Sequence, residues 1–172
     1  MLPIMIHNDN FFKDCQYLSK WDPNKKIPKV QVVTAFLQYE NKFLILQRER
    51  KDLQHSLWGI PGGKLEKDEL PLSGLLRELH EELNVNLSYE AFQLLGTAIS
   101  LTPADGEYGL YIYHTHVLTP LNIQINREEH SAFLWVTIDE FQKFNLLTAQ
   151  REAFYLVQNK LIYFLSFINP VG

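Results

Sequence analysis

Residues 63–85, GKLEKDELPLSGLLRELHEELNV, combine an apolar stripe with a cluster of acidic side chains at helical spacing. At 100° per residue, one face is leucine and a neighbouring arc is glutamate. The leucines are Leu72, Leu75, Leu76, Leu79 and Leu83, and the glutamates are Glu78, Glu81 and Glu82. Like charges one turn apart destabilise an isolated helix by roughly a few tenths of a kcal/mol per pair. A divalent cation would reverse the sign of that interaction, so the stretch predicts an amphipathic helix with a cation site along one edge.

The same stretch resembles the signature of the Nudix hydrolases. The positions that match it are, in order, Gly63, Glu69, Arg77, Glu78, Leu79, Glu81, Glu82 and Val85. Asn84 stands where the family has glycine, and asparagine readily adopts the left-handed conformation that ends a helix. The matched positions would occur together by chance in fewer than about one chain in a million of this length. A solvent-exposed helix with an Arg77–Glu81 pair is the alternative, but it does not explain the preceding Pro61-Gly62-Gly63 turn.

Length, charge and cysteine content predict one globular domain in a reducing compartment. The chain has 172 residues, of which 46% are hydrophobic, and a formal net charge of −4. No global basic field attracts long nucleic acid or an anionic membrane, so we expect neither as a partner. Cys15 is the single cysteine, which excludes an intramolecular disulfide. The first ten residues lack the features of a signal peptide, and residues 161–168 are apolar but too short to span a bilayer. We therefore expect a cytoplasmic protein.

The order of predicted elements favours an α/β fold. Residues 1–29 read as an N-terminal extension, with a short helix near residues 11–19 and a turn at 22–26, and residues 30–168 as the Nudix domain. Residues 30–39 and 42–47 predict a hairpin, and further strands are predicted at 92–101, 110–118 and 132–138, with a turn at 103–106. Residues 148–167 predict one long helix or two shorter ones, and Pro71 suits the first turn of the signature helix. Strands with helices between and after them indicate an α/β/α sandwich around a mixed β-sheet, which is the Nudix architecture.

The residue types around the signature suit metal-assisted phosphate chemistry. Magnesium and manganese prefer hard oxygen ligands and bridge to phosphates, and a glycine turn lets a backbone carbonyl approach a cation. The resemblance implies that Glu78 and Glu82 are the principal ligands of Mg²⁺ or Mn²⁺. It further implies that Glu81 is a ligand or the general base, and that Gly62 contributes its carbonyl. The metal would neutralise phosphate charge and activate water.

Arg77 is expected to hold a carboxylate rather than a metal, since a guanidinium repels a cation. The arginine of the family does so and fixes the geometry of the glutamates. Glu69 is the expected partner. A second interpretation of Glu69 is a favourable acid at the start of a helix.

Three positions outside the signature match residues that function in relatives. Arg48, by its spacing to Gly62, corresponds to an arginine that contacts phosphates. Glu129 has the spacing of a loop glutamate that lies near the metal in MutT-like enzymes, although Glu128 leaves the register open. Asn145 corresponds to an asparagine that reads a purine base. Each also has an ordinary structural interpretation, as a strand-end arginine, a solvated loop acid or a turn residue.

These features predict a nucleotide pyrophosphohydrolase that splits a diphosphate bond in a nucleoside diphosphate linked to another moiety. Water would attack phosphorus, with Glu81, Arg77, Glu78 and Glu82 as the active-site residues. One alternative is a nucleotide-sugar hydrolase of the GDP-sugar type, in which water attacks a sugar carbon. Another is a non-catalytic nucleotide-binding regulatory module. The expected partner is a small nucleotide derivative, and many relatives form homodimers.

Overall fold

The structure, a computed structural model, describes residues 17–20, 22–24, 28–49, 57–102, 106–147 and 150–168. The strands are β1 Tyr17–Lys20, β2 Val30–Tyr39, β3 Lys42–Arg48, β4 Trp58–Gly59, β5 Gly62–Lys64, β6 Gln93–Thr102, β7 Gly106–Val117 and β8 His130–Val136. The α-helices are α1 Pro71–Leu83, α2 Ile138–Phe141 and α3 Gln150–Ile168, and a short 3₁₀ helix covers Tyr89–Ala91. None of the helices in this described part is long and apolar enough to cross a membrane.

The strands form one mixed sheet in the order β1-β6-β7-β2-β3-β4. β2 and β7 are parallel from Val30↔Tyr108 to Tyr39↔Val117, and the other pairs are antiparallel. β5 pairs with β2, and β8 pairs with β3. The predicted hairpin of β2 and β3 is confirmed, since Gln38 pairs with Phe43 across it.

Helices cover both faces of the sheet, which confirms the predicted α/β/α sandwich. Successive side chains of a strand point to opposite faces, so Val33 and Ala35 of β2 pack with α1 while Phe36 packs with α3. The α1 layer buries Leu75, Leu79 and Leu83, and the α3 layer buries Ala153, Phe154, Val157 and Leu161. Leu72 packs at the edge of the α1 layer, while Leu76 is only half-buried.

α1 begins and ends as its sequence predicts. Pro71 lies in its first turn, where a missing backbone N–H costs nothing. Asn84 ends it in the left-handed conformation, with φ 55°, and its N–H donates to the His80 carbonyl at 2.9 Å. The substitution of asparagine for the family glycine is therefore compatible with the geometry of the helix end.

The structure corrects several predicted boundaries. The helix predicted near residues 11–19 is wrong at its end, because β1 Tyr17–Lys20 is a strand paired with β6; residues 11–16 lie outside the described part. β1 thus joins the sheet from within the predicted extension. Gly106 begins β7 instead of ending a turn, and Ile138 begins α2 instead of ending a strand. β4 and β5 are too short to show an alternating pattern.

Candidate functional site

Two carboxylates of α1 lie against the glycine turn that leads into β5. Glu82 Oε2 accepts a hydrogen bond from the Gly62 N–H at 2.9 Å. A Cβ at Gly63 would overlap the Glu78 carboxylate, and one at Gly62, whose φ is +142°, would overlap the Val33 carbonyl. Both glycines are therefore required for the close approach of turn and helix.

Glu82 is buried and held at both oxygens. It is 5% exposed, and its Oε1 lies 2.9 Å from His130 Nε2. Burial raises the pKa of Glu82, against the smaller opposite effects of the hydrogen bonds from His130 and Gly62. The site thus forces a carboxylate into a poorly solvated position where its negative charge is costly.

Glu78 adds a second costly charge beside the first. Burial raises its pKa, the hydrogen bond and charge of Arg77 lower it, and the charges of Glu82 and Glu81 raise it further. Neighbouring carboxylates with little water between them are the hard-oxygen environment that stabilises a small divalent cation. The donor set therefore fits Mg²⁺ or Mn²⁺.

Arg77 organises the acidic cluster through several donors at once. Its Nε and Nη2 donate to the two oxygens of Glu69, each at 2.9 Å, and Nη2 also donates to the Lys64 carbonyl at 3.1 Å. Its Nη1 donates to Glu78 and to Glu81, each at 3.0 Å. The hydrogen bonds from Arg77 lower the pKa of Glu69, and the bond to Glu69 raises the pKa of Arg77. Arg77 thus pairs with Glu69, as expected, and also with Glu81, the pair of the alternative interpretation.

The loop before β8 lies on the same face of the sheet as α1 and completes the cluster. The N–H of Asn126 donates to the Glu82 carbonyl at 2.8 Å, and that of Gln124 to the Leu83 carbonyl at 2.9 Å. These bonds satisfy carbonyls that the end of a helix leaves unpaired. They also place β8 and the turn before it against α1.

This loop brings Glu129 to the glutamates. Glu82, Glu129 and His130 each offer one ligand atom, and these atoms lie within 4.8 Å of one another. Glu128 is not in this group; its backbone N–H bonds to Asn126 Oδ1 at 3.1 Å. Asn126 Nδ2 donates to Glu129 Oε1 at 2.8 Å and so directs the loop carboxylate. The geometry therefore favours Glu129 over Glu128 as the loop acid.

Sequence reasoning missed His130 and Asn126. His130 follows Glu129 directly, but the sequence pattern predicts a strand only from residue 132, two positions beyond the histidine. Its position at the start of β8, paired with Arg48 of β3, directs it inward. The available signal was a histidine adjacent to a candidate metal-binding acid.

Arg48 and Asn145 lie at the same end of the sheet as the cluster. Arg48 is exposed at the end of β3, and its N–H donates to the Leu57 carbonyl at 3.0 Å. The Asn145 carbonyl accepts from the Trp58 N–H at 2.8 Å, and its side chain is exposed. Their roles toward phosphate and base stay predictions, as does the use of the Gly62 carbonyl as a ligand.

The chain is similar in sequence and in fold to known proteins. A family model described as the NUDIX domain matches residues 28–157. A CTP pyrophosphohydrolase of Escherichia coli (strain K12) is 28% identical over 122 residues, which cover 70% of this chain and 84% of that protein. The human m7GpppN-mRNA hydrolase NUDT17 is 37% identical over 123 residues, or 62% of this chain and only 38% of that protein. The crystal structure of a MutT protein from Methanosarcina mazei Go1 matches with a TM-score of 0.65 at 21% identity, covering 78% of this chain and 96% of that one.

Proposed function

The chain belongs to the Nudix hydrolase family, whose members act on pyrophosphate bonds, and from this premise we propose the reaction that it catalyses. The proposed reaction is metal-dependent hydrolysis of a diphosphate bond in a nucleoside diphosphate linked to another moiety. Water attacks phosphorus, and each of the two products carries a phosphate group.

One observation carries the proposal: Glu78 and Glu82 lie together against the Gly62-Gly63 turn, where burial disfavours the negative charge of both carboxylates. A helix that served packing alone would place apolar side chains at these positions, because buried carboxylates are destabilising unless their charge is compensated. Arg77 compensates Glu78 in part, but it makes no ion pair with Glu82 among the described residues. A bound divalent cation supplies that compensation.

Each residue then has a distinct role. Glu78, Glu82 and Glu129 hold the cation with the Gly62 carbonyl, and Glu81 serves as a further ligand or as the base that accepts a proton from water. Arg77 fixes the glutamates through its hydrogen bonds. When bound, Mg²⁺ or Mn²⁺ neutralises phosphate charge and promotes ionisation of water.

The substrate is a small nucleotide derivative, received by local charge rather than by a global basic field. In this proposal Arg48 contacts phosphates and Asn145 contacts the base. The similarity to a CTP pyrophosphohydrolase over 84% of its length makes nucleoside triphosphates the first compounds to test. We further propose that the enzyme acts in the cytoplasm, where such nucleotides occur, as a monomer or homodimer.

A substrate panel tests the function. The purified chain is incubated with nucleoside triphosphates, nucleotide sugars, dinucleotides and a cap analogue, each with Mg²⁺, with Mn²⁺ and with excess chelator. We expect cleavage of at least one class with either metal and none with chelator. Cleavage that persists at full rate in chelator contradicts metal dependence. Nucleotide binding without turnover across the panel would instead indicate a regulatory module.

A further inference from the structure

His130 is a buried histidine whose side chain makes one hydrogen bond among the described residues, to a candidate metal ligand. It is 6% exposed, and its Nε2 lies 2.9 Å from Glu82 Oε1. Its other ring nitrogen, Nδ1, is buried without a hydrogen-bond partner in the described part of the chain. A buried ring with one partner requires an explanation, because unpaired buried polar atoms are destabilising.

The contact with Glu82 determines what His130 Nε2 does. Glu82 Oε1 can only accept while the carboxylate is ionised, so Nε2 carries the proton and donates it. The ring is thus a fixed donor aimed at one oxygen of Glu82.

Two donors from different elements therefore fix the Glu82 carboxylate. The Gly62 N–H from β5 takes one acceptor position on Oε2, and His130 from β8 takes one on Oε1. A carboxylate offers about four acceptor positions, so each oxygen keeps one for a cation. With both oxygens held, rotation of the side chain away from the cation is suppressed.

We propose that His130 is a positioning residue that orients Glu82 for cation binding through the Nε2–H···Oε1 hydrogen bond. The proposal rests on the proposed function, in that Glu82 is taken as a metal ligand. Hydrogen-bond partners of ligating carboxylates typically contribute about 10- to 100-fold to metal affinity. His130 also follows Glu129 in the chain, so one short segment supplies the loop acid and the orienting donor.

The alternative is that His130 binds the cation itself, since it offers a ligand atom within 4.8 Å of those of Glu82 and Glu129. The two roles require different chemistry from the side chain. An orienting residue needs only an N–H at the position of Nε2, which the amide of glutamine supplies. A ligand would instead bond the cation through an imidazole nitrogen. Because the amide oxygen of glutamine can also bind a hard cation, the ¹⁴N coupling of that nitrogen in the pulsed electron paramagnetic resonance spectrum of Mn²⁺ bound to the wild-type chain separates the two roles.

The test measures Mn²⁺ binding directly, from the electron paramagnetic resonance signal of free Mn²⁺, in the full chain and four variants. His130→Leu removes the donor, and His130→Gln retains an N–H at similar reach. His130→Asn, whose amide is too short to reach Glu82, replaces the leucine variant if that one does not fold. His80→Gln, at an exposed histidine of α1, is the matched control. Melting temperatures of the metal-free variants report folding separately.

We expect the Kd for Mn²⁺ to rise about 10- to 100-fold in His130→Leu or His130→Asn, to return close to wild type in His130→Gln, and to stay unchanged in His80→Gln. The Mn²⁺ concentration for half-maximal hydrolysis should shift by the same factor. Equal loss in the glutamine and leucine variants overturns the proposal, and so does a ¹⁴N coupling in the spectrum of bound Mn²⁺ that is present in wild type and absent from both His130 variants. If the leucine or asparagine variant is less stable but binds Mn²⁺ as tightly as wild type, His130 only packs in the core, and the proposal is overturned as well. A wild-type chain that binds no Mn²⁺ contradicts the proposed function itself.

Discussion

Glu82 combines burial, charge and two hydrogen bonds in one side chain, and each has a separate physical origin. Its burial follows from its place beside the apolar stripe of α1, one residue before the buried Leu83. Its hydrogen bonds come from β5 and β8, which are far apart in sequence. Glutamine has nearly the same shape but no charge, and its NH₂ group replaces one of the two oxygens that accept a hydrogen bond. Replacement by glutamine therefore tests the charge with little change in packing.

Glu82→Gln should therefore lower the hydrolysis rate by about 100-fold or more, since loss of a ligand exceeds loss of a ligand's hydrogen-bond partner. The metal-free variant should melt close to the wild-type temperature, because removal of a costly buried charge offsets the loss of one accepted hydrogen bond. Steady-state kinetics and thermal melts measure the two effects. Glu128→Gln, in the loop beside Glu129, should leave both unchanged. An unaltered rate in Glu82→Gln would favour the solvent-exposed helix interpretation.

Arg77 contacts three carboxylates through a planar group that lysine cannot imitate. Arg77→Lys should destabilise the protein by about 2 kcal/mol, because the paired bonds to Glu69 become at most one. The rate should also fall, as Glu78 and Glu81 lose their shared donor. Urea unfolding and steady-state rates provide the measurements. Arg127→Lys, at an exposed loop arginine that bonds to the Ser131 carbonyl, serves as the control and should change stability little.

The end of α1 depends on Asn84 in the left-handed conformation, and two substitutions measure how much this residue contributes to stability. Asn84→Ala should destabilise by about 1 to 2 kcal/mol, the cost of placing an ordinary side chain at positive φ. The stability of Asn84→Gly should be close to that of wild type. Glycine adopts positive φ without strain, but the variant loses the hydrogen bond from Asn84 Nδ2 to Gln124 Oε1. Chemical denaturation of both variants checks the difference. Equal stability of the two would show that the αL position does not limit the helix.

The sequence predicted those elements whose patterns are local and missed those defined by distant contacts. β2 and α1 follow from alternation and from the leucine stripe, and the signature places four glutamates on or before one helix. β1, β4 and β5 exist because of the strands that they pair with, which no short window contains. His130 joins Glu82 for the same reason, since the two are 48 positions apart. They meet through the pairing of β8 with β3 and through the bonds from the loop before β8 to the end of α1.

The packing of α3 on the sheet buries a histidine that the proposed chemistry does not use. His114 of β7 stacks on Phe164 of α3, with ring centroids 4.5 Å apart, and its Nε2 bonds to Gln38 Oε1 at 2.7 Å. Burial lowers the pKa of His114 to about 4, with a smaller contribution from His116. The histidine therefore stays neutral in the fold at a pH where it is protonated in the unfolded chain.

Stability should consequently fall as pH decreases from about 6.5 to 4, because the unfolded state binds the proton that the native state excludes. The loss from this group approaches about 3 kcal/mol at the lower end. His114→Gln should flatten the dependence, while His116→Gln should largely keep it. Urea midpoints between pH 4 and 7 measure the slopes, and subtraction of the variant removes contributions from the carboxylates. Identical slopes in wild type and His114→Gln would contradict the assignment.

The position of attack depends on the assembled site rather than on any one residue. β5 supplies the glycine turn, α1 the glutamates, and the loop before β8 a further acid, so that negative charge converges on one end of the sheet. A cation held there neutralises charge on phosphate oxygens. Attack at a sugar carbon would need chiefly a base and a stabilised leaving group.

Hydrolysis in oxygen-18 water distinguishes these outcomes for whichever substrate the panel identifies. We expect the label in a phosphate-containing product, because carboxylates that bind a hard cation stabilise the charge of a phosphoryl transition state. Mass spectrometry of the separated products locates the label, and unreacted substrate incubated in the same water controls for exchange. With a nucleotide sugar as substrate, label found only on the released sugar hydroxyl would show that water attacks the sugar carbon instead of phosphorus. The same glutamates would then act through leaving-group stabilisation, and the chain would remain a Nudix hydrolase with a different bond broken.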